Sequence, residues 1–207
     1  MFSQLSFHDI GIIVLSMVIS LACHEAMHAF TAHSLGDTTA SEQGRLTLNP
    51  LRHIDIMTTV LLPIILLSAG LPPIFIAKPV PFNPHMVRYG EYGAALVALA
   101  GPFTNLILAA LGSLLIHFVG PSAGLAYGIE IFMQVNIAFF VFNMIPLPPL
   151  DGSRLLYAFA PDPVKEVMAR IESLGLWAIL ILYLVLLPLI APILGKINDS
   201  IFTFLLR

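Results

Sequence analysis

Long apolar runs, broken by short polar or proline-rich pieces, account for most of the chain. The spacing predicts a first helix from about His8 to Leu35, ended by Gly36-Asp37. Residues 37–53 are polar and read as a loop or a β-hairpin. The alternation at Arg45-Leu46-Thr47-Leu48 favours a short strand there. A second apolar stretch covers 56–77, interrupted by Pro63 and broken at Gly70-Leu71-Pro72-Pro73. The part ahead of that break makes roughly 21 Å of helix, short of the ~30 Å hydrocarbon core of a bilayer. The prolines of Lys78-Pro79-Val80-Pro81-Phe82-Asn83-Pro84 force an extended piece. Further helices are expected from about Tyr92 to Val119, Leu125 to Ile145, and Leu174 to Leu194, the last kinked near Pro188 and Pro192. Residues 153–171 read as a short surface helix, and Gly195 to Arg207 as amphipathic and interfacial.

Composition turns this pattern into a membrane protein. Of 207 residues, 58% are hydrophobic and only 10% charged, whereas soluble domains carry about 25% charged residues. The expectation is an all-α integral membrane protein, one domain over 1–207, with about five membrane segments. No appended soluble module is expected, and the first helix reads as retained rather than as a cleaved signal. A net charge of -3 without a basic cluster argues against a nucleic-acid partner. Arg45, Arg52, Lys78, Arg88, Arg154, Lys165 and Arg170 all lie in loops that the positive-inside rule places in the cytoplasm. Both flanks of the 56–77 stretch are then on one side. A re-entrant hairpin fits, with an ordinary spanning helix as the alternative.

The chemistry begins with His24-Glu25-Ala26-Met27-His28 at the end of the first apolar run. Histidines four apart share one helix face, one turn apart, and can grip one zinc ion. The glutamate between them can act as general base toward a metal-bound water. Ionisable groups at membrane depth are expensive without such a role. A third ligand is needed, and Asp151 follows the fourth apolar helix on the matching side after a proline-rich break. Asp-Gly is also a turn signal, so an N-cap or turn aspartate is the competing reading. Glu130 lies about four turns from Asp151 and cannot reach the same metal. His33 points about 140° away from His28, and His53, His85 and His117 read as surface or interfacial. Cys23, the lone cysteine, points about 100° away from His24 and reads as a small apolar helix residue.

Three amides lie within the apolar helices. Asn143, two turns before Asp151, reads as a substrate contact. Asn105 reads as a residue that positions the site for substrate, and the two form the expected substrate-binding set. Asn136 reads as packing.

In this order, His24-Glu25-Ala26-Met27-His28, Ala100-Gly101-Pro102-Phe103-Thr104-Asn105 and Asn143-Met144-Ile145-Pro146-Leu147-Pro148-Pro149-Leu150-Asp151-Gly152 resemble the site-2 protease family of intramembrane zinc metalloproteases. Lys78-Pro79-Val80-Pro81 is similar to its small prokaryotic members, which carry no PDZ or CBS domain. The resemblance implies one zinc bound by His24, His28 and Asp151, with Glu25 activating the water and Asn143 holding the substrate strand. It also implies a β-hairpin and edge-strand region over 40–50 and 72–84. It implies regulated intramembrane proteolysis in the cell membrane, with the active site toward the cytoplasm. The substrate would be a single-span membrane protein, such as an anti-sigma factor or a membrane-tethered regulator. A metal transporter or sensor is the rival class, but it would distribute polar residues along a path through the bilayer, and here they cluster near one side.

Overall fold

The computed structural model describes residues 6–71, 76–120 and 122–207. Its core is three helices: α1 (Phe7–Ser34), α4 (Gly90–Val119) and α5 (Ala123–Asn143). Each packs against the other two. Between α1 and α4 lie the short α2 (Thr39–Glu42), a 3-10 turn (Pro50–Arg52), a π-helical turn (Ile56–Leu61) and α3 (Leu62–Ser68). After α5 come α6 (Gly152–Phe159), α7 (Asp162–Ser173), α8 (Leu176–Ile181), a second π-helical turn (Leu182–Leu186) and α9 (Leu187–Leu205).

Among the described residues, four helices are long and apolar enough to cross a membrane: Phe7–Ser34, Gly90–Phe118, Gly124–Asn143 and the continuous Leu176–Leu205. The chain is a multi-pass membrane protein. Their buried faces explain how they meet. Ala22, Ala26, Ala29 and Ala32 form a small-residue seam on α1, and Ala94, Ala98, Gly101 and Ala109 one on α4. Small side chains let backbones approach closely, which drives helix association where lipid removes the hydrophobic gain. Ile10, Val14, Ile107, Leu111 and Leu114 stand exposed on the opposite faces, as lipid-facing positions require.

At its start α1 is closed by a capping box. Ser6 Oγ accepts the Asp9 N–H at 3.1 Å, and the Ser6 N–H donates to Asp9 Oδ2 at 2.9 Å. Tyr127 donates its hydroxyl to Asp9 Oδ1 at 2.9 Å and ties this end of α1 to α5. The His-Glu pair lies at the other end.

Three expectations change. The first is the β-hairpin: no strand occurs among the described residues. Residues 39–42 form a helical turn, nucleated by Asp37 accepting from the Thr39 N–H and hydroxyl. Residues 76–83 take no regular secondary structure and do not pair as a strand. Pro79 and Pro81 remove the N–H groups along one edge. The donors of the other edge go to scattered partners: Lys78 N–H to His53 O at 2.9 Å and Val80 N–H to Glu25 Oε2 at 3.0 Å. This segment is a strap held by side chains. Pro72 and Pro73 of the expected break, like the rest of 72–75, lie outside the described residues.

The second change concerns 174–207. The helix runs through Gly195 to Leu205 instead of ending near Leu194. Its irregularity is the π-helical turn at 182–186, just ahead of Pro188, whose missing N–H releases a carbonyl one turn earlier. The third is the charged 153–171 stretch, which is two helices separated at Ala160-Pro161.

The 56–77 stretch leaves and returns to one place. Ile76 N–H donates to Thr58 O at 3.4 Å, and Thr59 Oγ donates to Ile76 O at 2.6 Å. The chain therefore comes back beside the first turn of its own helix.

Candidate metal centre and active site

His24, Glu25 and His28 occupy the buried side of the last three turns of α1, facing α4 and the strap. Their helical spacing puts the two imidazoles edge to face, with ring centres 4.6 Å apart. Asp151 comes from the far end of the sequence. The segment after α5 turns back through Pro146-Leu147-Pro148-Pro149, and Gly152 packs against the carbonyls of Met144 and Ile145, where a Cβ would collide at 2.5–2.8 Å. Asp151 sits at the N-terminal edge of α6, yet its side chain makes no capping bond. It turns instead to the histidines.

Three donor atoms converge there. His24 Nε2 and His28 Nε2 are 3.0 Å apart, and Asp151 Oδ2 lies 3.1 Å from the first and 3.4 Å from the second. Donors about 2.0–2.1 Å from a tetrahedral zinc stand roughly 3.3 Å from one another. Asp151 Oδ2 is buried and makes no hydrogen bond. The imidazoles are oriented from behind. His28 Nδ1 lies 2.7 Å from Val97 O, and His24 Nδ1 lies 2.7 Å from Asn105 Oδ1. Both partners are acceptors, so each Nδ1 carries a proton, and in the neutral imidazole each Nε2 is then the nitrogen with the lone pair. Two lone pairs and a carboxylate oxygen aimed at one point repel each other unless a cation sits between them. The three residues could hold a metal ion, and a two-nitrogen, one-oxygen set that leaves the fourth position open suits zinc at a catalytic site.

The metal cradle depends on one absent side chain. A Cβ at Gly101 would stand 2.5 Å from His28 Nε2 and 2.7 Å from His24 Cε1. The sequence shows this glycine inside its motif, but no residue pattern reveals which neighbour it makes room for.

A cavity of about 670 Å³ opens in front of the donor set. Leu21, Phe139, Phe142 and Leu187 give it an apolar wall, while Glu25, Asn143 and the strap residues Pro79 and Val80 face the same space. Asn143 lies on this wall and donates Nδ2 to its own Phe139 O at 3.0 Å. Asn105 does not line the cavity. It is fully buried behind His24, donating Nδ2 to Ser20 O at 3.2 Å and to Asn136 Oδ1 at 3.0 Å, so it meets the His24 ring from behind and offers no surface to the cavity.

Cys23, His33, His85 and His117 lie outside the donor cluster, and the last three are exposed. The expectation of a surface His53 is corrected. It is 1% exposed, with Nε2 donating to Thr47 O at 2.9 Å, and it supports the strap through its own carbonyl. Arg45, also buried, donates to Lys78 O at 2.7 Å and Pro79 O at 3.3 Å.

A buried His-Glu-x-x-His helix closed by a distant aspartate, inside a bundle of membrane-length helices, defines a membrane zinc metalloprotease. Comparison with known proteins agrees. The chain is 38% identical over 200 residues to "Putative zinc metalloprotease YwhC" of Bacillus subtilis, covering 91% of this chain and 88% of that one. It is 30% identical to "Putative zinc metalloprotease Rip2" of Mycolicibacterium smegmatis, covering 93% of this chain and 72% of the relative. The Mycobacterium tuberculosis protein of the same name is 31% identical over 83% of this chain and 66% of its own length. No family model and no solved structure matches the chain. The chain belongs to the site-2 protease family, and zinc is its metal.

Proposed function

We propose that the chain hydrolyses a peptide bond within or near the transmembrane segment of a membrane-protein substrate, with His24, His28 and Asp151 as the zinc ligands and Glu25 as general base. The observation that carries this reading is the convergence of three donor atoms beside Glu25 at the wall of an apolar cavity. Bound there, zinc supplies a water of pKa near 7 and polarises a carbonyl. Glu25 is the proton carrier. One carboxylate oxygen is held by the Val80 N–H, and the other remains to take a proton and return it to the leaving amine. Asn143 and the apolar wall orient an unwound substrate strand. A single-span protein fits this cavity chemically, and a membrane-tethered regulator such as an anti-sigma factor is the proposed class, in regulated intramembrane proteolysis.

His24 lies roughly 15 Å from the C-terminal end of α1, which supports a site below the membrane surface. The basic residues flanking it favour the cytoplasmic side of the cell membrane. The return of Ile76 to Thr58 supports a re-entrant 56–77 hairpin beside the site. The test compares membrane-protein fragments in cells expressing wild type or Glu25→Gln. Wild type should release single-span proteins cut in their spans, with Glu25→Gln slower by about 10²- to 10⁴-fold. Equal cleavage by both refutes the role of Glu25.

A further inference from the structure

His24 is oriented through a chain of side chains whose polarity is set by main-chain carbonyls. Asn136 on α5 is fully buried and donates Nδ2 to Phe132 O at 2.8 Å. Its Oδ1 therefore faces α4 and accepts from Asn105 Nδ2 at 3.0 Å. The same Asn105 nitrogen donates to Ser20 O of α1 at 3.2 Å. An amide nitrogen only donates and a carbonyl only accepts, so Phe132 O and Ser20 O together forbid the flipped amide at either position. Asn105 Oδ1 is left for His24 Nδ1, 2.7 Å away.

We propose that Asn136 is a positioning residue for the metal site: through Asn105 it locks His24 in the tautomer whose Nε2 can bind zinc. This rests on the reading of His24 as a ligand. His28 needs no such device, because its acceptor is the Val97 carbonyl, which cannot rotate. The acceptor for His24 is a side-chain amide that can. A flipped Asn105 would present N–H groups to Nδ1, move the proton to Nε2 and remove a ligand. Asn136 is not on the cavity wall, so its effect on zinc has to travel through Asn105.

A mere packing role for Asn136 makes a different prediction, which zinc affinity separates. The experiment measures zinc stoichiometry and, by competition with a chelator, zinc affinity in purified protein. The variants are Asn136→Leu, Asn136→Thr, Asn136→Asp and Met133→Ala. Leu removes the acceptor. Thr satisfies Phe132 O with its own hydroxyl but is too short for Asn105, so it breaks the relay with little cost to folding. A neutral Asp donates to Phe132 O and accepts from Asn105, preserving the polarity. Met133 is buried in the same α4–α5 interface outside the relay. The expected result is 10- to 100-fold weaker zinc binding for Leu and Thr, with affinity near wild type for Asp. Met133→Ala should melt lower yet bind zinc as wild type does. Wild-type affinity in the Thr variant, or equal zinc loss in Met133→Ala, overturns the relay. A wild type that binds no zinc overturns the metal reading as well, an outcome distinct from both.

Discussion

The main-chain N–H of Val80 donates to Glu25 Oε2 at 3.0 Å, joining residues 55 positions apart. The strap thereby touches a carboxylate that lines the cavity and stands outside the donor cluster. Arg45 and His53 hold Lys78 and Pro79 just upstream, so the amide is presented by an anchored backbone. Val80→Pro deletes this donor between two existing prolines and also alters a buried side chain packed with Ala29 and Ala40, so its folding is checked by melting alongside. Hydrogen bonds to charged groups contribute about 1.5–3 kcal/mol. The variant should lose roughly 10- to 100-fold in cleavage rate while keeping its zinc, as read by metal analysis beside a substrate assay.

Gly101→Ala tests the cradle. The new methyl would overlap two imidazoles that are each fixed from behind by a hydrogen bond. Overpacking costs about 1–3 kcal/mol, and here it falls on the donor geometry. Chelator competition should show at least 10-fold weaker zinc binding, whereas Gly124→Ala, with open space around it, should leave zinc affinity unchanged.

Asn143→Ala should separate substrate from metal. Asn143 shares the cavity but is no part of the donor cluster. Cleavage efficiency should fall about 10-fold with zinc content unchanged. Loss of zinc would instead place Asn143 in the metal support.

Asp37 gives the strap an acid-sensitive anchor. Burial alone would raise its pKa, but the Thr39 hydroxyl and N–H and the Asn83 N–H outweigh it and hold the carboxyl below its ordinary value. A carboxyl depressed in the folded state stabilises that state above its unfolded pKa of about 3.9, and this stability is lost as pH falls through the folded value. Asp37 Oδ2 accepts the Asn83 N–H at 2.6 Å, so below pH ~4 the end of the strap should loosen. Hydrogen exchange over 76–83 should rise there. In Asp37→Asn, whose amide opposes the Asn83 N–H, it should already be raised at neutral pH.

Much of the donor set was legible in the sequence because helical periodicity is local. His24 and His28 must share a face of any helix that contains them, and Asp151 is announced by a proline break on the matching side. The Val80–Glu25 bond was not legible, because main-chain donors leave no trace in residue identity. The short strand expected within 37–53 rests on alternation at Arg45-Leu46-Thr47-Leu48, and the hairpin over 40–50 on the family resemblance. That alternation reflects a buried Arg45 binding the carbonyls of the strap rather than a ladder. By residue type His53 reads as surface or interfacial and Asn136 as packing, and the Thr47 and Phe132 carbonyls that they meet are visible only in the fold.

The central claim is a site of His24, His28 and Asp151 with Glu25 outside the metal's coordination. It is tested most directly by counting zinc per chain in purified wild type, Glu25→Gln and Asp151→Ala. The expected result is about one zinc in the first two and loss in the third. Equal zinc in all three, or none in folded wild type, would contradict the account.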